Sequence, residues 1–274
     1  IGNGMVGYKF CEKIISKQLP GLELIVFGEE TLPAYDRVHL SEYFSGTSAY
    51  DLSLASLQWY ADNHIALHLG DPVKHIDRDN KIVYSHNGMS FTYDYVVMAT
   101  GSSAFVPSIP GVDKDGVFVY RTIEDLNLIA RHAPKSKTAA VLGGGLLGLE
   151  AAKALLDLGI NNTHIIEFAP RLMPRQIDDN GSAILQQKLS SLGITVHTNK
   201  NTAAILGNES VTELIFTTGN ILNVDMLVIS AGVQPRDELA KACRLATGHR
   251  GGIVVNDLLQ TSDPAIFAIG ECAL

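Results

Sequence analysis

The pattern of apolar and polar positions runs through the same cycle twice along the chain. Each cycle opens on a glycine-rich turn and a helix. An apolar strand then ends at an acid, a hairpin follows, and a second apolar strand closes in small residues and glycine. In the first cycle the turn is Gly2-Asn3-Gly4-Met5-Val6-Gly7. Its helix is expected to stop near Pro20-Gly21, a strong breaker pair. The strand Leu22–Phe27 follows and meets Glu29-Glu30. Asn87-Gly88 separates two short apolar runs, a hairpin signal. The closing strand runs from Tyr95 through Thr100 to Gly101.

The second cycle starts at Val141-Leu142-Gly143-Gly144-Gly145-Leu146-Leu147-Gly148. A helix predicted from there ends at Gly159, which supplies a left-handed cap. The strand Thr163–Ile166 reaches Glu167, Gly219-Asn220 marks a hairpin, and Met226–Ala231 closes at Gly232. A third apolar segment, Thr261–Glu271, returns after the second cycle. Strands that alternate with helices predict an α/β fold. Here the pattern predicts two interleaved Rossmann-like domains, with Pro107, Pro110 and Gly111 marking the crossing between them. The expected division is 1–106 plus 234–274 for one domain and 107–233 for the other. Both ends read as cut, the first directly on a glycine turn and the last directly after a strand, so the sequence reads as a fragment of a longer protein.

Composition narrows the functional classes. The formal net charge is -8 and Lys and Arg form no cluster. Nucleic-acid binding needs concentrated positive charge, so no such partner is expected. No run of about 18 apolar residues spans a membrane, and no secretory signal opens the chain. The three cysteines, Cys11, Cys243 and Cys272, stand far apart with no CxxC. This pattern predicts reduced thiols and a cytoplasmic location. The nine histidines show no metal-ligand spacing.

The two glycine turns carry the chemistry. Glu29 lies 22 residues beyond Gly7, and Glu167 lies 19 beyond Gly148; dinucleotide-binding units place their acid roughly 20 residues on. In such a unit the first glycine makes the turn, the second admits a pyrophosphate, and the third lets helix and strand pack closely. The helix N-terminus offers N–H groups to the anion, and the acid accepts from the adenosine ribose. Gly2, Gly4, Gly7 and Glu29 form one candidate set; Gly143, Gly145, Gly148 and Glu167 form the other. Glycines alone leave open which site takes which nucleotide.

The segment Thr261-Ser262-Asp263-Pro264-Ala265-Ile266-Phe267-Ala268-Ile269-Gly270-Glu271 resembles the flavin ribityl motif of the FAD-dependent pyridine nucleotide reductases, with Glu271 where that family usually has Asp. The resemblance implies that Gly270 admits the flavin and Glu271 binds a ribityl hydroxyl. It makes the first cycle the FAD site, with Thr100 and Gly101 at its closing corner. The inserted second cycle becomes the NADH site, with NADPH as an alternative, and Gly232 at its corner. Ala34-Tyr35-Asp36-Arg37-Val38-His39-Leu40-Ser41 looks like the segment lying against the flavin in the ferredoxin-reductase branch, which implicates Arg37. Arg131 is similar in place to an arginine near the FAD pyrophosphate. Glu150 is similar in place to a glutamate near the nicotinamide. A surface ion pair and ordinary helix charges are the plainer readings of Arg37, Arg131 and Glu150.

Further stretches narrow the resemblance: Tyr120–Asn127, Gly143–Glu150, Ile166–Pro170 and Arg250–Asp257. With Gly2–Gly7 they are similar to the N-terminal portion of the large subunits of bacterial NAD(P)H-dependent nitrite reductases, over essentially the whole chain. That resemblance implies hydride transfer from NADH to FAD. Electrons would then pass to iron–sulfur and sirohaem centres in downstream domains that reduce nitrite to ammonium. It also implies a small subunit as a further partner. No catalytic side chain is expected on this chain, because the cofactors supply the reactivity. Disulfide reductases of the superfamily place cysteines beside the flavin, and Tyr35–Gly46 contains none, which disfavours a thiol relay. The rivals are a stand-alone ferredoxin or rubredoxin reductase and a non-catalytic flavin- and nucleotide-binding sensor.

Overall fold

The structure, a computed structural model, describes residues 1–274 and divides into two compact units. Unit 1 comprises 1–37, 49–103 and 234–274; unit 2 comprises 38–48 and 104–233. The stretch 38–48 was expected with unit 1 but packs within unit 2. There its 3₁₀ helix Leu40–Ser45 contacts the unit's helices, and the Tyr43 hydroxyl donates to Asn127 Oδ1 at 2.7 Å. No helix is long and apolar enough to cross a membrane.

Unit 1 begins with α1 (Met5–Ile15), which leads to β1 (Leu24–Phe27). After α2 (Leu57–Asp62), β2 (Ile65–His68) pairs parallel with β1, Phe27 opposite His68. A three-stranded antiparallel meander follows: β3 (Val73–Asp77), β4 (Ile82–Ser85) and β5 (Ser90–Thr92). Asn87-Gly88 turns between β4 and β5, and of the pair only Gly88 is left-handed, at φ +83, as in the longer hairpin loops that end on a left-handed glycine. Next come β6 (Val96–Met98) and β7 (Ser102–Ala104). Ile1 and Gly2 tie β1 to β6. The Gly2 N–H donates to Phe27 O at 2.8 Å, the Ile1 amino group to Val97 O, and the Ala99 N–H to Ile1 O, both at 2.7 Å. The glycine turn therefore emerges between the carboxyl ends of β1 and β6. Cys11, Val26, Tyr60 and Ile65 form the core beneath α1.

Unit 2 repeats the plan with a fuller sheet. Its strands are β8 (Val117–Val119), β9 (Thr138–Leu142), β10 (Asn162–Ile166), β11 (Ile194–His197) and a meander of β12 (Thr202–Leu206), β13 (Glu213–Phe216) and β14 (Ile221–Asn223), then β15 (Met226–Ile229). The parallel sheet has the order β11-β10-β9-β15-β8. Its helices are α3 (Ile123–His132), α4 (Leu146–Asp157) and α5 (Asp179–Ser191). Strands β9 and β15 are buried at nearly every residue, as expected of parallel strands covered on both faces. Ala140, Leu142, Ile166, Leu214, Leu227 and Ile229 form much of the core.

The chain returns through β16 (Val233–Pro235) and the short α6 (Glu238–Ala242) to β17 (Ile266–Ala268). Strand β17 pairs parallel with β6, Phe267 opposite Val97. The returning segment therefore belongs to unit 1, next to the strand that ends at Thr100-Gly101. Met98, Ile266, Ala268, Ile253 and Cys272 are fully or nearly fully buried there.

Candidate cofactor sites

The two glycine turns have the same geometry. Gly2 and Gly143 lie at φ +103 and +123, a left-handed region that excludes ordinary side chains. A Cβ on Gly2 would stand 2.2 Å from Ala99 O, and one on Gly143 would stand 2.2 Å from Ser230 O. A Cβ on Gly7 or Gly148 would strike the first glycine of its own turn at 2.1 or 2.0 Å. The fold itself thus requires the first and third glycines. The middle ones differ: nothing lies within 4 Å of a Cβ on Gly4 or Gly145. Their backbones, at φ -90 and -82, suit any residue. Neither folding nor packing demands glycine there, whereas close approach of a ligand to the backbone does.

The helix starts point the same way. Gly4 and Gly145 are the N-caps of α1 and α4, and neither helix has a side-chain cap or an acid in its first turn. The other two helices of ten or more residues are capped, α3 by a Thr122–Asp125 capping box and α5 by Asp178. Uncapped N-termini carry open N–H groups and the positive end of the helix dipole, which suits a phosphate.

The acids are held differently. In unit 2 Glu167 directly follows β10. Its Oε2 accepts from the Gly144 N–H and its Oε1 from the Ala169 N–H, both at 2.6 Å. Backbone fixes the carboxylate, and each oxygen keeps acceptor capacity for a ribose hydroxyl. In unit 1 Glu29 pairs instead with the guanidinium of Arg236. That hydrogen bond holds the Glu29 carboxyl below its ordinary range, against a smaller opposing effect of burial. Glu30 accepts from the Tyr35 hydroxyl at 2.7 Å and from Arg37, whose guanidinium lies over the Tyr35 ring at 5.0 Å. Arg37 is thus built into a cluster with Glu30.

Gly270 (φ +77) and Glu271 lie exposed at the carboxyl end of β17, and Ser102 donates to Glu271 Oε2 at 2.7 Å. The Thr100 hydroxyl donates to Arg236 O at 2.7 Å, while Gly101 and Gly232 are left-handed with open space at a Cβ. Glu150 is half-buried on α4, and burial raises its carboxyl above the usual range. Buried Tyr120 has a hydroxyl with no partner, raised by burial and then by the charge of Glu150. Arg131 lies exposed in the last turn of α3 in unit 2. It shares no unit with the Gly2–Gly7 turn, and the cation suits a helix C-terminus.

Three residues of the unit 1 site escaped the sequence reading: Asn3, Tyr60 and Arg236. The Tyr60 hydroxyl donates to Asn3 Oδ1 at 3.0 Å. Burial pushes that phenol up to about 12, so it stays a donor. Asn3 Nδ2 is buried with no protein partner, leaving a donor inside the turn. Asn3 was one of the unspecified positions of the motif, and no local pattern marks Tyr60 or Arg236. No group of three or more His, Cys, Asp or Glu is placed to hold a metal.

Two uncapped helix N-termini, open middle glycines, an acid at each strand end and an orphaned donor at Asn3 fit an anionic dinucleotide in each unit. Comparison with known proteins agrees. The model of the pyridine nucleotide-disulphide oxidoreductase family matches residues 1–274. The chain is 50% identical to the nitrite reductase (NADH) large subunit of Escherichia coli (strain K12), over 100% of this chain and 32% of that protein. It is 48% identical to the nitrite reductase [NAD(P)H] large subunit of Klebsiella oxytoca, over 100% of this chain and 29% of that protein. It therefore spans about a third of the length of these relatives. Among solved structures it matches the ferredoxin reductase for the CYP199A2 system from Rhodopseudomonas palustris. The TM-score is 0.93 at 30% identity, over 100% of this chain and 67% of that one.

Proposed function

This chain belongs to the pyridine nucleotide-disulphide oxidoreductase family, and on that premise we propose that it carries reducing equivalents from NADH to FAD. FAD is held by unit 1 and NADH by unit 2. In the complete protein the electrons pass on to iron–sulfur and sirohaem centres that reduce nitrite to ammonium. The observation that carries the reading is the pair of uncapped glycine-turn helices, each with a middle glycine that only a ligand requires.

The residues divide the work. Gly2, Gly4, Gly7 and the α1 N-terminus receive the FAD pyrophosphate, Glu29 the adenosine ribose, and Gly270 and Glu271 the ribityl chain. Arg37 stands as a further flavin contact. Gly143, Gly145, Gly148 and the α4 N-terminus receive the pyrophosphate of NADH, Glu167 its adenosine ribose, and Glu150 the nicotinamide end. A bound flavin supplies acceptance of a hydride and release of single electrons. The chain binds, orients and shields.

The likeness to the Rhodopseudomonas ferredoxin reductase favours a second reading, a reductase that delivers to a separate iron–sulfur protein. Anaerobic NADH titration of the FAD-loaded full chain tests the shared core of both readings by loss of visible flavin absorbance. Flavin that stays oxidised under excess NADH would sink both and favour a sensor. Ammonium formed from nitrite and NADH by the complete protein with its downstream domains, and not by this chain alone, separates the first reading from the second.

A further inference from the structure

Arg236 is the third residue after the chain re-enters unit 1 at Gln234. Its backbone is pinned on both sides to the end of β6. The Arg236 N–H donates to Gly101 O at 2.9 Å, and the Thr100 hydroxyl donates to Arg236 O at 2.7 Å. Its side chain runs to Glu29, two residues beyond the end of β1. Strands β1 and β6 flank the Gly2–Gly7 turn, joined through Ile1 and Gly2. With its backbone at one strand end and its guanidinium at the other, Arg236 spans the mouth of that turn.

The geometry points to Arg236 as the cation that receives the diphosphate-bearing adenosyl half of the dinucleotide in unit 1. Three observations converge on this role. A diphosphate brings two negative charges to a turn whose carboxylates, Glu29 and Glu30, already carry two. Glu30 sits against Arg37, and Glu29 sits against Arg236. A planar guanidinium has five donors and binds a carboxylate with one edge while offering another to a phosphate. The side chain is 39% exposed, so a ligand reaches it. Unit 2 is built otherwise: Glu167 is held by two backbone N–H groups, and nearby Arg171 pairs with Asp179. An exposed ion pair adds little stability by itself, so stability does not account for a side chain stretched across the turn.

The inference rests on the reading that unit 1 holds FAD, and the experiment separates the two. The apo form of the full chain is titrated with FAD by quenching of flavin fluorescence, with ADP as competitor, for wild type, Arg236→Ala and Arg236→Lys. Arg236→Ala is expected to weaken FAD and ADP in parallel by about tenfold or more, and to flatten the salt dependence of both. If the alanine variant does not fold, Arg236→Lys serves. It can still reach Glu29, yet an ammonium lacks the planar fork, so a loss of about threefold in both ligands is expected. FAD affinity at the wild-type level in the folded variant overturns the role of Arg236 alone. Loss of FAD without loss of ADP overturns it too, because the effect then lies at the ring end. A wild-type chain that binds no FAD, or whose FAD is not displaced by ADP, overturns the reading of unit 1 itself.

Discussion

Glu167 fills the space that a side chain on Gly144 would need. A Cβ on Gly144 would lie 2.8 Å from Glu167 Oε2 and 2.6 Å from Leu172 Cδ2, and the Gly144 N–H bonds to that same oxygen. In unit 1 the two positions exchange character. Asn3 stands in the turn, and Gly28 follows the strand, where a Cβ would meet Asn3 Cβ at 3.3 Å. The register equates Gly28 with Glu167, since each donates its N–H to the last residue of the neighbouring strand, His68 or His197. One of the two positions must be small. With Asn3 in the turn, the acid of unit 1 moves one place further along, to Glu29.

Gly144→Ala should therefore damage the second site through Glu167. Overpacking of this kind costs about 1–3 kcal/mol, read as a lower melting temperature. The displaced carboxylate should raise the KM for NADH by about tenfold, while flavin content stays at the wild-type level. An unchanged KM in the folded variant contradicts the arrangement.

Gly145 and Gly148 should fail in different ways. Gly145→Glu has room to fold, because nothing lies within 4 Å of its Cβ. It should stop reduction by NADH while FAD stays bound, since an acid then occupies the pyrophosphate position. Gly148→Ala meets Gly143 O at 2.0 Å and should destabilise unit 2 before ligand binding is measured. Loss of FAD in Gly145→Glu would mean that the two sites have been assigned the wrong way round.

The internal repeat was legible because its punctuation is local. Gly2, Gly143, Gly88 and Gly219 mark turns whose positive φ values follow from the residues themselves. The core of each helix–strand unit followed from continuous apolar runs such as Ala139–Leu142. Helices α2 and α5, with β2 and β11 after them, escaped notice because their sequences alternate less regularly and tertiary packing decides them. The placement of 38–48 in unit 2 depends on Tyr43 and Asn127, 84 positions apart. Arg236 meets Glu29 across 207 positions, a relation that no window of sequence contains.

NADH should be preferred over NADPH. Glu167 is fixed by two backbone donors at the end of β10, where a 2′-phosphate would meet like charge. Arg171, the nearest cation in sequence, pairs with Asp179. The expected advantage in kcat/KM is about tenfold or more, and Glu167→Ala should narrow it. A wild-type preference for NADPH contradicts the assignment.

Unit 2 should lose stability as pH falls below the ordinary histidine range. His164 Nδ1 lies 3.0 Å from His197 Nε2. Burial lowers both histidines from 6.5, followed by the charge of His197 on His164 and of Lys200 on His197. Because the folded state favours the neutral rings, the unfolded chain binds protons first. Stability is full above about 6.5 and declines as pH falls through the depressed folded values. His197→Phe removes one ring nitrogen pair and should flatten the melting profile between pH 5 and pH 7, roughly the range in which histidine titrates. An equally steep profile in the variant would place the sensitivity elsewhere.

Electrons should leave the flavin without a thiol relay, although the family takes its name from disulphide chemistry. Cys11, Cys243 and Cys272 are 2%, 6% and 0% exposed and unbridged. Burial raises the Cys11 and Cys243 thiols, and the Cys243 and Cys272 sulfurs contact the backbone carbonyls of Ala240 and Met98. The thiolate is the reactive form, so a raised, buried thiol is poorly suited to exchange. Segment 35–46, the one that resembles the flavin-facing stretch, holds no cysteine. Replacing all three cysteines by alanine in the full chain should leave NADH-driven ferricyanide reduction within about twofold of wild type at equal flavin content. A fall well beyond that, in protein that still folds and holds FAD, would mean that a cysteine takes part in the transfer. Single replacements would then identify which one.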